Sequence, residues 1–169
     1  MAFDEGSIRC AEEKDLEAIL GLYEGARRFM REHGNPRQWN TTWPPRMLVE
    51  EDIRLGRNRV FTDADGKILA VFVYLFGENA EPGYLGIENG SWSKEAPYGV
   101  IHRIAVAENG RGIGSRCIRW AYEQCGYLRI DTHPDNLVMQ RTLEKLGFER
   151  RGIIHVIEDN DPRYAYEKV

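Results

Sequence analysis

The chain has 169 residues and a mass of 19.5 kDa, enough to bury a sizeable core within one domain. Charged residues make up 30% and hydrophobic residues 42%, which excludes disordered and collagen-like chains. The 23 Lys and Arg against 27 Asp and Glu leave a net charge of −4, which argues against a nucleic-acid binder working through bulk charge. The longest apolar run, Ile68 to Phe76, is nine residues, short of the roughly 20 that a membrane helix needs. Asp4 and Glu5 stand where a secretory signal would carry positive charge, so a cytoplasmic protein is expected. Cys10, Cys117 and Cys125 show no metal-ligand or paired spacing, and no metal is expected.

Ser7 to Cys10 reads as a first strand. From Asp15 the residues Leu16, Ile19, Leu20, Tyr23 and Ala26 recur at helical spacing, and Gly34 and Pro36 stop that helix. A loop with Trp39 and Trp43 leads to a second helix from Pro45 to about Leu55. Arg59 to Thr62 and Lys67 to Phe76 read as a hairpin around Asp63-Ala64-Asp65-Gly66, its second strand apolar enough to be central. Glu78 to Gly99 is a long loop carrying Tyr84, Trp92 and Tyr98. Val100 to Val106 is a strand that runs into Asn109-Gly110-Arg111-Gly112-Ile113-Gly114-Ser115 and a helix to about Cys125. A strand from Leu128 to Asp131, a helix from Asn136 to Leu146, and strands at Phe148 to Ile154 and Tyr164 to Lys168 complete a single mixed α/β domain over residues 1–169.

A strand opening through Gly112 and Gly114 into a helix gathers bare backbone N–H groups and a positive helix end, which suits a pyrophosphate. A plain tight turn in which glycines supply positive φ fits the same residues. A dinucleotide fold does not: Cys117 stands where the third fingerprint glycine would be, and only 38 residues follow Asp131. Nor does a phosphate loop of the Walker type, since Ser115-Arg116 follows Gly114 where its lysine belongs.

Ile104-Ala105-Val106 followed by Asn109-Gly110-Arg111-Gly112-Ile113-Gly114 resembles the acyl-CoA motif of the GNAT superfamily of N-acetyltransferases. Asp131-Thr132-His133-Pro134-Asp135-Asn136, with Leu143-Glu144-Lys145-Leu146-Gly147-Phe148, resembles the motif that follows it in that family. The resemblance covers about Val100 to Ile154 and implies a GNAT acyl-CoA N-acyltransferase fold, a central mixed sheet of six to seven strands flanked by about four helices. It implies an acetyl-CoA-dependent enzyme acetylating a primary amine of a small molecule or peptide by direct attack, as a monomer or homodimer, with no metal, nucleic acid or membrane as partner. Ile104, Ala105 and Val106 would pair with the pantetheine arm, Asn109 to Ser115 would cradle the pyrophosphate, and Asn136 would meet the pantetheine region or cap its helix.

The sequence departs from the family pattern at Asn109, usually Gln or Arg, and at Leu143, where many members carry a Tyr that protonates the departing thiolate. A thiol pKa near about 8.5 makes that thiolate a tolerable leaving group. Leu143 also suits the alternative of a non-catalytic acyl-CoA-binding regulatory module. On the acceptor side a protonated amine needs a base. His102 shares a strand face with Ile104 and Val106 by alternation and is the candidate, with a buried structural histidine as the other reading. Tyr84 or Tyr98 could replace the missing acid. Trp39, Trp43, Tyr84, Trp92 and Tyr98 come from the segments that in this family shape the acceptor pocket, so either a partly aromatic cleft or loop anchoring is expected of them. Arg103 points away from that face, toward a carboxylate partner.

Overall fold

The computed structural model describes residues 6–157 and 160–169. Among them lie, in chain order, β1 (Ser7–Cys10), α1 (Leu16–Glu32), α2 (Arg46–Arg54), β2 (Asn58–Thr62), β3 (Ile68–Gly77), β4 (Tyr98–Val106), α3 (Ile113–Cys125), β5 (Leu128–Thr132), α4 (Leu137–Lys145), β6 (Glu149–His155) and β7 (Pro162–Lys168). The seven strands order as β1-β2-β3-β4-β5-β7-β6. β1, β2 and β3 pair antiparallel, β4 and β5 run parallel, and β7 pairs antiparallel with both β5 and β6, so the sheet is mixed. No helix among the described residues is long and apolar enough to cross a membrane.

The described residues form two compact units, those up to Tyr74 with Arg103–Ile118, and Leu75–His102 with those from Arg119 onward. In the first, Leu69 to Val73 of β3 are buried one after another, which is the mark of a strand covered on both faces. Ile19 and Tyr23 of α1, Val49 of α2, Val60 of β2, Val71 of β3, Ala105 of β4 and Trp39 close into one apolar cluster. Burying side chains of this size stabilises the fold by about 1.5–3 kcal/mol each. The 3-10 turn Glu13–Asp15 that leads into α1 is closed by Asp15, whose carboxylate accepts Arg9 Nη1 and Nη2 at 2.7 and 3.0 Å and the Glu12 N–H at 2.7 Å. The Arg9 guanidinium holds the Asp15 carboxyl below the ordinary range.

The second unit is built on β5, β7 and β6, with Tyr84, Tyr98, Val100, Tyr127, Ile154 and Ala165 as its apolar cluster. The long segment after β3 is more ordered than a loop. It contains a 3-10 turn, Pro82–Gly86, whose first N–H groups are capped where Glu81 Oε1 accepts from Gly83 N at 3.0 Å. It also joins β6 through a bridge in which Glu88 and Ile153 exchange backbone hydrogen bonds of 2.8 and 2.9 Å. A Cβ on Gly152 would sit 2.5 Å from the Glu88 carbonyl oxygen, so glycine is what permits this approach.

Two strand boundaries differ from the sequence reading by two residues. β4 begins at Tyr98 rather than Val100, because Gly99 pairs with Leu128 of β5; a Cβ there would lie 2.7 Å from Cys125 Sγ, so this glycine serves close packing and not a turn. β7 begins at Pro162 rather than Tyr164, with proline at the first strand position where a missing N–H is tolerated.

Candidate active site

β4 carries residues of both units in sequence order, His102 at the end of one and Arg103–Val106 in the other. Arg103 has φ 51, the left-handed region that a residue with a Cβ seldom enters. The backbone between His102 and Ile104 therefore departs from regular strand geometry. Two contacts from distant parts of the chain meet this residue. Tyr23 Oη donates to the Arg103 carbonyl at 2.9 Å, and Arg103 Nη2 donates to Asp52 Oδ2 at 2.8 Å. Arg103 thus has the carboxylate partner expected of it.

After Val106 the chain turns through exposed residues 107–112 into α3. Gly110 and Gly112 adopt φ 83 and 76, and a Cβ on either would meet nothing within 4 Å, so conformation rather than crowding selects glycine at these positions. Ile113, Gly114 and Ser115 form the first turn of α3, which contains no acidic residue. The first N–H groups of a helix lack intrahelical acceptors and sit at its positive end, so an anion fits here. Of the neighbouring arginines, Arg111 pairs with Glu108, while Arg116 lies over the Phe61 ring at 5.1 Å. Asn109 is exposed beside them.

In the second unit His102 sits between two carboxylates. Its Nε2 is 2.7 Å from Glu81 Oε2 and its Nδ1 is 3.9 Å from Asp131 Oδ2. Asp131 Oδ2 in turn accepts the Tyr84 hydroxyl at 2.7 Å. The Tyr98 hydroxyl brackets the Glu81 backbone, accepting from its N–H at 3.2 Å and meeting its carbonyl at 3.3 Å. A carboxylate only accepts, so hydrogen-bond logic assigns the proton of a neutral His102 to Nε2 and leaves a lone pair on Nδ1. Burial pushes the Tyr84 hydroxyl well above its ordinary value, and the Asp131 charge adds to this, so Tyr84 is a fixed donor.

The aromatic residues divide between the units. Trp39 is buried in the first, edge-on to Tyr23 with ring centroids 5.6 Å apart. Trp92 is half-buried in the second, 5.3 Å from the Tyr84 ring, and its indole N–H donates to the Tyr84 carbonyl at 2.8 Å. The Arg129 guanidinium lies 4.2 Å from the Trp92 ring and 3.9 Å from Tyr98, and it donates to the Lys94 carbonyl and the Tyr127 hydroxyl. Asn136 caps α4 by accepting from the Met139 N–H at 3.1 Å. Leu143 is fully buried. His133 accepts the Asp135 N–H on Nδ1 at 3.0 Å, and burial holds its pKa below the ordinary value. Among the described residues no group of three or more His, Cys, Asp or Glu side chains has a metal-holding arrangement.

Sequence reasoning singles out His102, Tyr84 and Tyr98 but misses Glu81 as their partner. Glu81 lies 21 residues upstream in an irregular segment, where no spacing rule connects it to a strand histidine. Asp131 is marked in the sequence only by its motif, and Arg129 carries no signal beyond lying in an apolar strand.

A profile of the acetyltransferase (GNAT) family matches residues 22–148. The chain belongs to this family. A GNAT acetyltransferase from Streptococcus agalactiae is 29% identical, with a TM-score of 0.87 over 99% of this chain and 96% of that one. The aminoglycoside acetyltransferase AAC(6′)-Ib, solved with coenzyme A and kanamycin, is 21% identical with a TM-score of 0.65, covering 98% and 95% of the two chains. A histone acetyltransferase HPA2 and related acetyltransferase from Corynebacterium glutamicum is 19% identical with a TM-score of 0.62, covering 97% and 96%. These last two share the fold. No curated protein sequence matches the chain. The mixed seven-stranded sheet and four α-helices among the described residues have the GNAT fold.

Proposed function

We propose that this GNAT protein is a cytoplasmic N-acetyltransferase that moves an acetyl group from acetyl-CoA to a primary amine of a small molecule or peptide by direct attack. The observation that carries this reading is His102 held between Glu81 and Asp131. The exposed glycine turn with the start of α3, from Asn109 to Ser115, fits the donor's pyrophosphate. Bound acetyl-CoA supplies the thioester carbonyl that the amine attacks; as the C–N bond forms the C–S bond breaks, and CoA leaves as a thiolate that takes a proton from solvent. The backbone N–H groups of Ile104, Ala105 and Val106 are the donors for the negative charge that develops on that carbonyl oxygen. His102 takes the amine's proton on Nδ1, directly or through one water. The imidazolium that results is stabilised by the 2.7 Å bond to Glu81 and by the charge of Asp131. Tyr84 holds the Asp131 carboxylate and Tyr98 holds the Glu81 backbone, and with Trp92 they give the acceptor pocket its aromatic wall. Asn136 keeps its cap on α4 and adds a contact to the pantetheine region.

A second reading, a regulatory module that binds acyl-CoA without turnover, is favoured by one residue: Leu143 is fully buried and apolar where many family members carry their acid. Calorimetric titration with acetyl-CoA, with NADH as control, followed by a free-thiol assay over a panel of amines separates the two. Amine-dependent thiol release supports the enzyme. Binding without release from any amine supports the module, and no binding of acetyl-CoA overturns both.

A further inference from the structure

We infer that Arg103 is a positioning residue: anchored at its side chain by Asp52 and at its carbonyl by Tyr23, it holds a left-handed kink in β4 that sets the backbone of Ile104 to Val106 for the acyl donor. The inference rests on the functional reading above. Left-handed φ is disfavoured for every residue with a Cβ, and a long cationic side chain gains nothing from it locally. Glycine or asparagine would be the ordinary choice if the kink alone were needed. Here the side chain is what is used. Its Nη2 meets Asp52 Oδ2 at 2.8 Å, and Asp52 is 1% exposed, so removing the guanidinium would leave a buried carboxylate with only Arg57, at 3.8 Å. The carbonyl of Arg103 accepts the Tyr23 hydroxyl from α1, so a helix side chain is tied to the strand backbone at this residue. Tyr23 is 1% exposed, and burial raises its pKa, so the hydroxyl stays a donor throughout the working pH range. Two residues on, Ala105 enters the apolar cluster with Ile19, Val60 and Val71, which fixes the strand against α1. Helices α1 and α2 therefore each contribute one polar contact to a single residue of the strand, and that residue follows the candidate base in the chain.

Two substitutions dissect the device. Arg103→Gly accepts the left-handed φ and deletes the anchor, while Tyr23→Phe keeps the ring and removes one hydrogen bond. Each is expected to remain folded, with acetyl-CoA Kd measured by calorimetry raised about tenfold or more and kcat lowered, whereas the KM for the acceptor stays near the wild-type value. The double variant should lose little more than either alone, because both act on one residue. Wild-type Kd and kcat in folded Arg103→Gly would overturn the inference. Should Arg103→Gly fail to fold, wild-type values in Tyr23→Phe overturn it equally. If the wild-type protein binds no acetyl-CoA, the functional reading fails; if it binds and turns over while both variants match it, only the positioning role fails.

Discussion

Replacing Glu81 with glutamine removes a charge from the His102 environment while keeping size and shape. The new side chain retains an oxygen that can accept the Gly83 N–H now bonded to Glu81 Oε1 at 3.0 Å, so the turn at Pro82–Gly86 should persist. What is lost is the charge-assisted bond of 2.7 Å to His102 Nε2, in a place where both side chains are only about one-fifth exposed. A hydrogen bond to a charged group is worth about 1.5–3 kcal/mol net. At about 1.4 kcal/mol per tenfold in rate, and with the imidazolium formed as the amine attacks, E81Q should lower kcat by about 10- to 100-fold. The KM for acetyl-CoA should not change, because the role proposed for Glu81 is on the acceptor's proton and not on the donor. Steady-state release of free CoA with a saturating amine acceptor measures both. A kcat within twofold of wild type, in a variant whose thermal unfolding is unchanged, would refute the assignment of Glu81 and His102 as the proton-accepting pair.

Three other outcomes follow from the same geometry. Asp15→Asn should cost about 1–2 kcal/mol at neutral pH, a figure reduced for the solvent reaching Arg9. Because the native Asp15 carboxyl is held below its ordinary value of about 3.9, that advantage is present above pH about 4 and disappears as pH falls through the native value; urea unfolding of both proteins across acid pH checks this. His133 has the same sign for a different reason, since burial and the neighbouring Arg163 favour its neutral form. Its contribution is present above its ordinary value of about 6.5 and falls as the medium is acidified below it, so the melting temperature of wild type should drop relative to His133→Asn, and parallel curves would contradict the burial argument. Trp92→Ala removes the ring over Arg129 and the bond to the Tyr84 carbonyl, and it should raise acceptor KM about tenfold while leaving the calorimetric Kd for acetyl-CoA untouched. An unchanged acceptor KM would remove Trp92 from the pocket.

The parts of this protein that are legible in its sequence are those governed by local rules. The apolar run of β3 implies a strand covered on both faces, Leu16, Ile19 and Tyr23 recur at the spacing of α1, and Gly112 and Gly114 mark where β4 hands over to α3. The rest depends on contacts across long stretches of chain. Nothing in the identity of Arg103 announces a left-handed residue, because the cost is offset by Asp52 and Tyr23, 51 and 80 positions away. Glu81 is invisible for the same reason. Its environment is made by His102 and by the Tyr98 hydroxyl, and an irregular segment rich in Gly, Pro and Glu offers no period from which to predict a partner. Trp39 and Trp92 read alike in sequence, yet one fills the first unit's apolar cluster and the other stacks on Arg129.

The central claim is that an acetyl group reaches an amine nitrogen. Incubating the protein with isotopically labelled acetyl-CoA and a panel of primary amines, then analysing the mixture by mass spectrometry, tests it most directly. The account predicts a labelled N-acetyl product whose formation is strongly reduced in His102→Ala. A protein that binds acetyl-CoA yet labels no amine would contradict it, as would a product formed equally well without His102.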